Sequence, residues 1–73
     1  MTTRFAALRA CRMTLAKAQG VPPYVIFHDA TLLAIADAVP RTLDELARIP
    51  GVGAAKLERY GRIVLAAVSD AEG

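Results

Sequence analysis

A chain of 73 residues with a single cysteine and a single histidine can close no disulfide on itself and can assemble no structural zinc site, so side-chain packing alone must hold it together. A domain this small buries only about 60% of the surface its unfolded form exposes, which demands an efficient core. Fifteen alanines and eight leucines without a tryptophan favour closely packed helices, and a formal charge of +2 is too small by itself to specify a nucleic-acid partner.

In the first segment Phe5, Leu8, Cys11 and Leu15 recur at steps of three, three and four, which predicts an amphipathic helix over residues 3–19. Gly20 is placed to end it, with Lys17 in the last turn where a cation complements the helix dipole. Pro22 and Pro23 make "GVPPY" a stiff connection. The following "YVIF" is short and finds no partner strand in the chain, so it is predicted as a helical turn packed into the core. Asp29 is the predicted N-cap of a third helix carrying Leu32, Ile35, Ala36 and Val39, stopped by Pro40.

"TLDE" at 42–45 has the spacing of a capping box, Thr42 bonding forward and Glu45 reaching back. It opens a short fourth helix that turns Leu43, Leu46 and Ile49 to the core before Pro50. After Gly53, the positions of Leu57, Tyr60, Gly61, Val64, Leu65 and Val68 predict a last helix to about residue 69, followed by a frayed "SDAEG" tail. Gly61 costs about 1 kcal/mol in a helix interior, which a close helix crossing at that point would explain. The expected fold class is therefore all-α: one compact bundle of about five helices over residues 1–73, with its core between about residues 5 and 68.

Charge is distributed unevenly. Residues 1–28 carry Arg4, Arg9, Arg12 and Lys17 and no acid, residues 29–47 are mainly acidic, and residues 48–62 turn basic again with Arg48, Lys56, Arg59 and Arg62. No apolar run approaches a membrane span, and the N-terminus lacks the pattern of a signal peptide, so the expected location is the cytoplasm with no membrane partner.

Catalysis needs reacting groups held together, and the chain offers few. His28 is read as a half-buried histidine preceding the Asp29 cap, and Cys11 as a core thiol whose apolar neighbours disfavour the thiolate. No catalytic residue, metal site or cofactor is expected. The basic residues form two stripes: Arg9, Met13 and Lys17 on the first helix, with Arg12 at the boundary of its apolar face, and Lys56, Arg59 and Ile63 on the last, with Arg62 beside them. Each stripe alone is what any solvated helix face presents.

The corner "IPGVG" adds to them. Glycines at 51 and 53 can take positive φ angles and turn backbone N–H groups outward at the start of a helix, where an anion is favoured. Lys56, one turn further on, adds a charge-assisted contact to the same phosphate. The alternative use of Pro50–Gly53 is a structural hairpin that orients the last helix. Tyr24, on the stiff loop after two prolines, either stacks an unpaired base or covers the core edge, while Phe5, Phe27 and Tyr60 take packing positions.

"GVPPYVIFHDATLLAIA" followed by "IPGVGAAKLERYG" resembles the HRDC domain, the helicase-and-RNase-D C-terminal module of RecQ-type DNA helicases and RNase D, from about Phe5 to Val68. The resemblance implies a non-catalytic bundle of about five helices with a helix-hairpin-helix-like corner at Pro50–Gly53. It implies an accessory part, C-terminal in a larger bacterial ATP-dependent DNA helicase, working in DNA repair and recombination on the nucleoid. ATP and Mg belong only to that parent's core. In helicase members, single-stranded DNA contacts are attributed to the first helix and the proline-aromatic loop, which correspond here to Arg9, Arg12, Lys17 and Tyr24. Lys56 and Arg59 match the "KLERYG" segment.

Three functions follow as expectations. The first is weak binding of single-stranded or branched DNA by a monomeric domain that modulates substrate choice. The second is a protein-interaction module docking on the helicase core through Asp37, Asp44 and Glu45. The third is RNA binding beside an RNase D-like exonuclease core.

Overall fold

The structure is a computed structural model that describes residues 3–72, the side chain of Thr3 excepted. It contains five helices: α1 (Thr3–Gln19), α2 (Pro23–Ile26), α3 (Asp29–Ala38), α4 (Leu43–Ala47) and α5 (Ala54–Glu72). There is no strand among the described residues. The all-α expectation and the count of helices are met. Their bounds follow from local chemistry that the sequence exposes.

α1 ends in a Schellman motif. The Val21 N–H donates to the Ala16 carbonyl (3.0 Å) and the Gly20 N–H to the Lys17 carbonyl (3.3 Å), with Gly20 at φ 66°. Pro23 occupies the first position of α2, where its missing N–H would find no partner anyway. α3 stops because Pro40 disfavours helical geometry at Val39, which turns into the left-handed region at φ 49° while its side chain stays packed on the core.

α4 opens on the expected Thr42 cap, whose Oγ1 accepts from the Glu45 N–H (3.1 Å). Glu45 does reach back, but it accepts from the N–H of Arg41 (2.7 Å), one residue before the cap. The corner after α4 is a type II turn: Pro50 and Gly51 occupy its centre, the Val52 N–H donates to the Ile49 carbonyl (3.1 Å), and Gly51 has φ 95°. A Cβ on Gly51 would also collide with the buried Thr31 side chain, so α3 packs directly onto this turn.

Two expectations are corrected. Asp29 is the first helical residue of α3, not its cap; His28 is the cap, without a side-chain cap bond, because the Asp29 carboxylate is engaged by Arg12 at 2.7 Å. Nor is the tail frayed from residue 69. α5 continues to Glu72, whose carboxylate holds Arg4 (2.8 Å) and Arg41 (3.2 Å), while Arg4 Nε also donates to the Ala36 carbonyl (2.7 Å).

α1 and α5 run antiparallel: Arg4 meets Glu72 at one end, and at the other the Tyr60 hydroxyl accepts from Gln19 Nε2 (2.8 Å) and donates to Gln19 Oε1 (3.0 Å). Between them lies a core whose fully buried side chains include Leu8, Ile26, Phe27, Leu32, Ile35, Leu46, Val64 and Val68. Burying such a side chain stabilises the fold by about 1.5–3 kcal/mol relative to exposure. Every helix contributes to this core, so the short α2 and α4 are held by packing where their own length would not suffice. Gly61 marks the expected crossing, since a Cβ there would lie 2.7 Å from Leu43 Cδ2 of α4.

Candidate nucleic-acid interface

Phe27 organises the region around the α2–α3 connection. Its ring is buried edge-on to Tyr60, with centroids 5.9 Å apart, and the Lys56 ammonium lies 5.5 Å from its centroid in cation–π geometry. Lys56 is half-buried, its stem lying along the core edge and not on a free stripe. The start of α5 is thereby brought beside Phe27, at the C-terminal end of α2.

Tyr24 is 59% exposed on the first turn of α2. Its ring does not cover the core edge; it stacks with His28, centroids 6.1 Å apart and planes 27° from parallel. His28 is exposed, against the expectation of a half-buried residue. Composition and periodicity gave no sign of this, because exposure at a loop depends on where tertiary packing aims it.

Arg12 departs furthest from its sequence reading. It is buried, its Nη1 donates to the Phe27 carbonyl (2.9 Å) and pairs with Asp29 Oδ1 (2.7 Å), and its Nε is buried without a partner. The side chain is 9% exposed and that of Asp29 is 71% exposed, so the pair reaches from the core to the surface. As a direct contact to a ligand Arg12 is therefore set aside: its guanidinium is spent on the loop backbone. Leu8, Arg12 and Ala16 follow one another at steps of four along the buried face, and that spacing was the available signal.

Arg9, Met13 and Lys17 do lie exposed on α1. Arg9 stands 5.8 Å from the centroid of Phe5, one turn before Arg12, and Lys17 two turns further along toward the Tyr24 loop. Arg59 is exposed one turn beyond Lys56, with Arg62 and Ile63 following. At the corner only Gly51 has positive φ; Gly53 does not, and a Cβ there would meet nothing within 4 Å. Gly53 instead opens α5, its carbonyl accepting from the Leu57 N–H (2.9 Å), ahead of the free first-turn amides that any helix start presents.

Chemistry elsewhere is sparse. Among the described residues no three His, Cys, Asp or Glu side chains come together as a metal site, and Cys11 is partly buried with its thiol pKa pushed up by burial. A groove of about 340 Å³ runs between α4 and α5, lined by Leu43, Ala54, Leu57, Glu58 and Arg62, and shares no residue with the Tyr24 surface. Among the described residues no helix is long and apolar enough to cross a membrane.

Fold and surface together define a small all-α module whose exposed features include cations and the Tyr24–His28 ring pair. The sequence matches the family pattern described as "HRDC domain" over residues 1–68. The chain belongs to the HRDC family. It is similar to "D. radiodurans RecQ HRDC domain 3", at 43% identity and a TM-score of 0.90, covering 92% of this chain and 88% of that one.

Among longer relatives, "ATP-dependent DNA helicase UvrD2" of Mycobacterium tuberculosis is 52% identical over 58 residues, 80% of this chain and 8% of the helicase. "ATP-dependent DNA helicase RecQ" of Haemophilus influenzae is 41% identical over 66 residues, 90% of this chain and 11% of the helicase. The chain thus spans about a tenth of the length of the helicases it matches.

Proposed function

We propose that this domain is a non-catalytic accessory module of a bacterial ATP-dependent DNA helicase that grips single-stranded or branched DNA weakly and biases substrate choice in repair and recombination. The observation that carries the reading is the exposure of Tyr24 on α2, three residues before the buried Phe27 whose ring lies under the Lys56 ammonium of α5. A strand laid there has an aromatic face for a base and cations for its phosphates. Arg9 and Lys17 extend the charge along α1, and Arg59 along α5. At the corner, the open space beside Gly53 adds room for a phosphate, whereas Gly51 is packed against Thr31.

Few phosphate contacts imply weak isolated affinity, on the order of 10⁻⁴ to 10⁻⁶ M, falling as salt rises. Tethering to a helicase core, where ATP and Mg would act, raises the effective concentration and makes that weakness useful. Titration of fluorescein-labelled oligo(dT) with the 73-residue chain at about 50 and 200 mM salt tests the reading, with binding expected at the lower salt and a loss of several-fold at the higher. Absence of binding at low salt sinks it. The same titration with oligo(rU) separates DNA from the RNA ligand expected beside an exonuclease core.

A second reading has its own support in the exposed Leu33 next to Asp37, at a groove of about 140 Å³ shared with Arg4 and Phe5. With Asp44 and Glu45 exposed on α4, the domain presents an acidic surface suited to the basic DNA-binding side of a helicase core. Reversal of Asp37 and Asp44 then changes DNA affinity of the parent helicase and leaves that of the isolated domain unchanged.

A further inference from the structure

His28 stands where a helix asks for a small polar cap. Ser, Thr, Asp and Asn lead at that position because their side chains bond the free amides of the first turn. His28 makes no such bond, and its ring leans on Tyr24 instead. α3 therefore gains nothing from the imidazole as a cap, yet the ring is exposed and aligned.

The backbone beneath it is fixed. Arg12 holds the Phe27 carbonyl on one side of His28 and the Asp29 carboxylate on the other, at 2.9 and 2.7 Å. Phe27 itself is locked between Tyr60 and Lys56. On the other side, Tyr24 follows two prolines. Both rings thus sit on restrained backbone, and a surface already ordered loses less freedom when a ligand settles on it.

We infer that His28 is the second ring of a stacking platform for unpaired bases, so that a base continues the Tyr24–His28 stack instead of meeting an isolated tyrosine. The inference rests on the proposed single-strand binding and names a residue that composition, spacing and charge did not. Its ligand class is unpaired nucleobases, recognised by their faces without regard to sequence. Lys56, over the Phe27 ring, supplies the neighbouring phosphate contact.

The test uses the 73-residue chain with fluorescein-labelled dT12 and an abasic strand of equal length at about 50 mM salt, comparing Tyr24→Ala, His28→Ala and His28→Phe. Loss of one stacked ring is expected to weaken dT12 binding at least about fivefold for either alanine variant. His28→Phe stays within about twofold of the parent sequence, and none of the variants changes the weaker binding of the abasic strand. Unchanged binding by His28→Ala, with Tyr24→Ala weakened, overturns the platform and leaves the proposed function standing. Equal losses on dT12 and the abasic strand, or a loss in His28→Phe matching that in His28→Ala, overturn it as well, since charge or hydrogen bonding would then be the role of the imidazole. Failure of the parent sequence to bind either strand overturns both readings.

Discussion

Two arginines on α1 that look alike in the sequence have opposite fates. Arg9 keeps its guanidinium at the surface over Phe5, whereas Arg12 sends its own into the core to the Phe27 carbonyl. A hydrogen bond from a charged donor contributes about 1.5–3 kcal/mol, and the pair with the exposed Asp29 adds little because water screens it. Arg12→Met keeps most of the apolar stem and removes the donor. It is expected to destabilise the domain by about 1–3 kcal/mol, read from the midpoint of urea unfolding, whereas Arg9→Ala shifts it by less than about 0.5 kcal/mol. Equal effects of the two substitutions would contradict the assignment of Arg12 to the fold. The same contrast explains what was hard to read: a charged residue type argues for the surface so strongly that it masks the four-step spacing placing Arg12 between Leu8 and Ala16.

At the scale of elements, the helices were legible because their ends are set by nearby residues. Gly20, Pro23, Pro40 and Thr42 act within a few positions of themselves, and α1 and the end of α3 lie where such signals suggest. What was illegible depended on groups distant in sequence: Asp29 as cap was displaced by Arg12, and the end of α5 is held by Arg4 and Arg41. Glycines show the divide clearly. Gly20 and Gly53 both have open space where a Cβ would stand, but only Gly20 has a positive φ. Gly20→Ala is expected to cost about 1 kcal/mol through the left-handed backbone, and Gly53→Ala to be neutral or slightly stabilising. Thermal unfolding of the two variants checks this; a Gly53 variant as damaged as the Gly20 one would mean that the corner needs glycine for its shape. The candidate site was legible to a similar degree. Tyr24, Lys17 and Arg59 lie exposed, as type and spacing suggest, whereas the approach of Lys56 to Phe27 exists only once α5 has packed, and the Tyr24–His28 stack only once the α2–α3 connection is formed.

For the molecule as a whole, Cys11 offers a built-in gauge of integrity. Burial raises its thiol pKa, so the native state holds that proton more tightly than the unfolded chain does. The associated stability is complete below the ordinary thiol pKa and is lost as pH rises from there through the raised folded value. Alkylation by iodoacetamide at pH 8 is accordingly expected to be slower for the native domain than for the chain in urea, and equal rates would contradict the burial. The antiparallel seam of α1 and α5 has a different consequence. With Arg4 against Glu72, a longer polypeptide threaded through this domain arrives and departs at one edge. Tension applied along that polypeptide would peel the two helices apart contact by contact, starting at that ion pair, and would not shear all of them together. The domain is then a mechanically soft link: a few contacts bear the load at any instant, and it yields at low force however stable it is at rest.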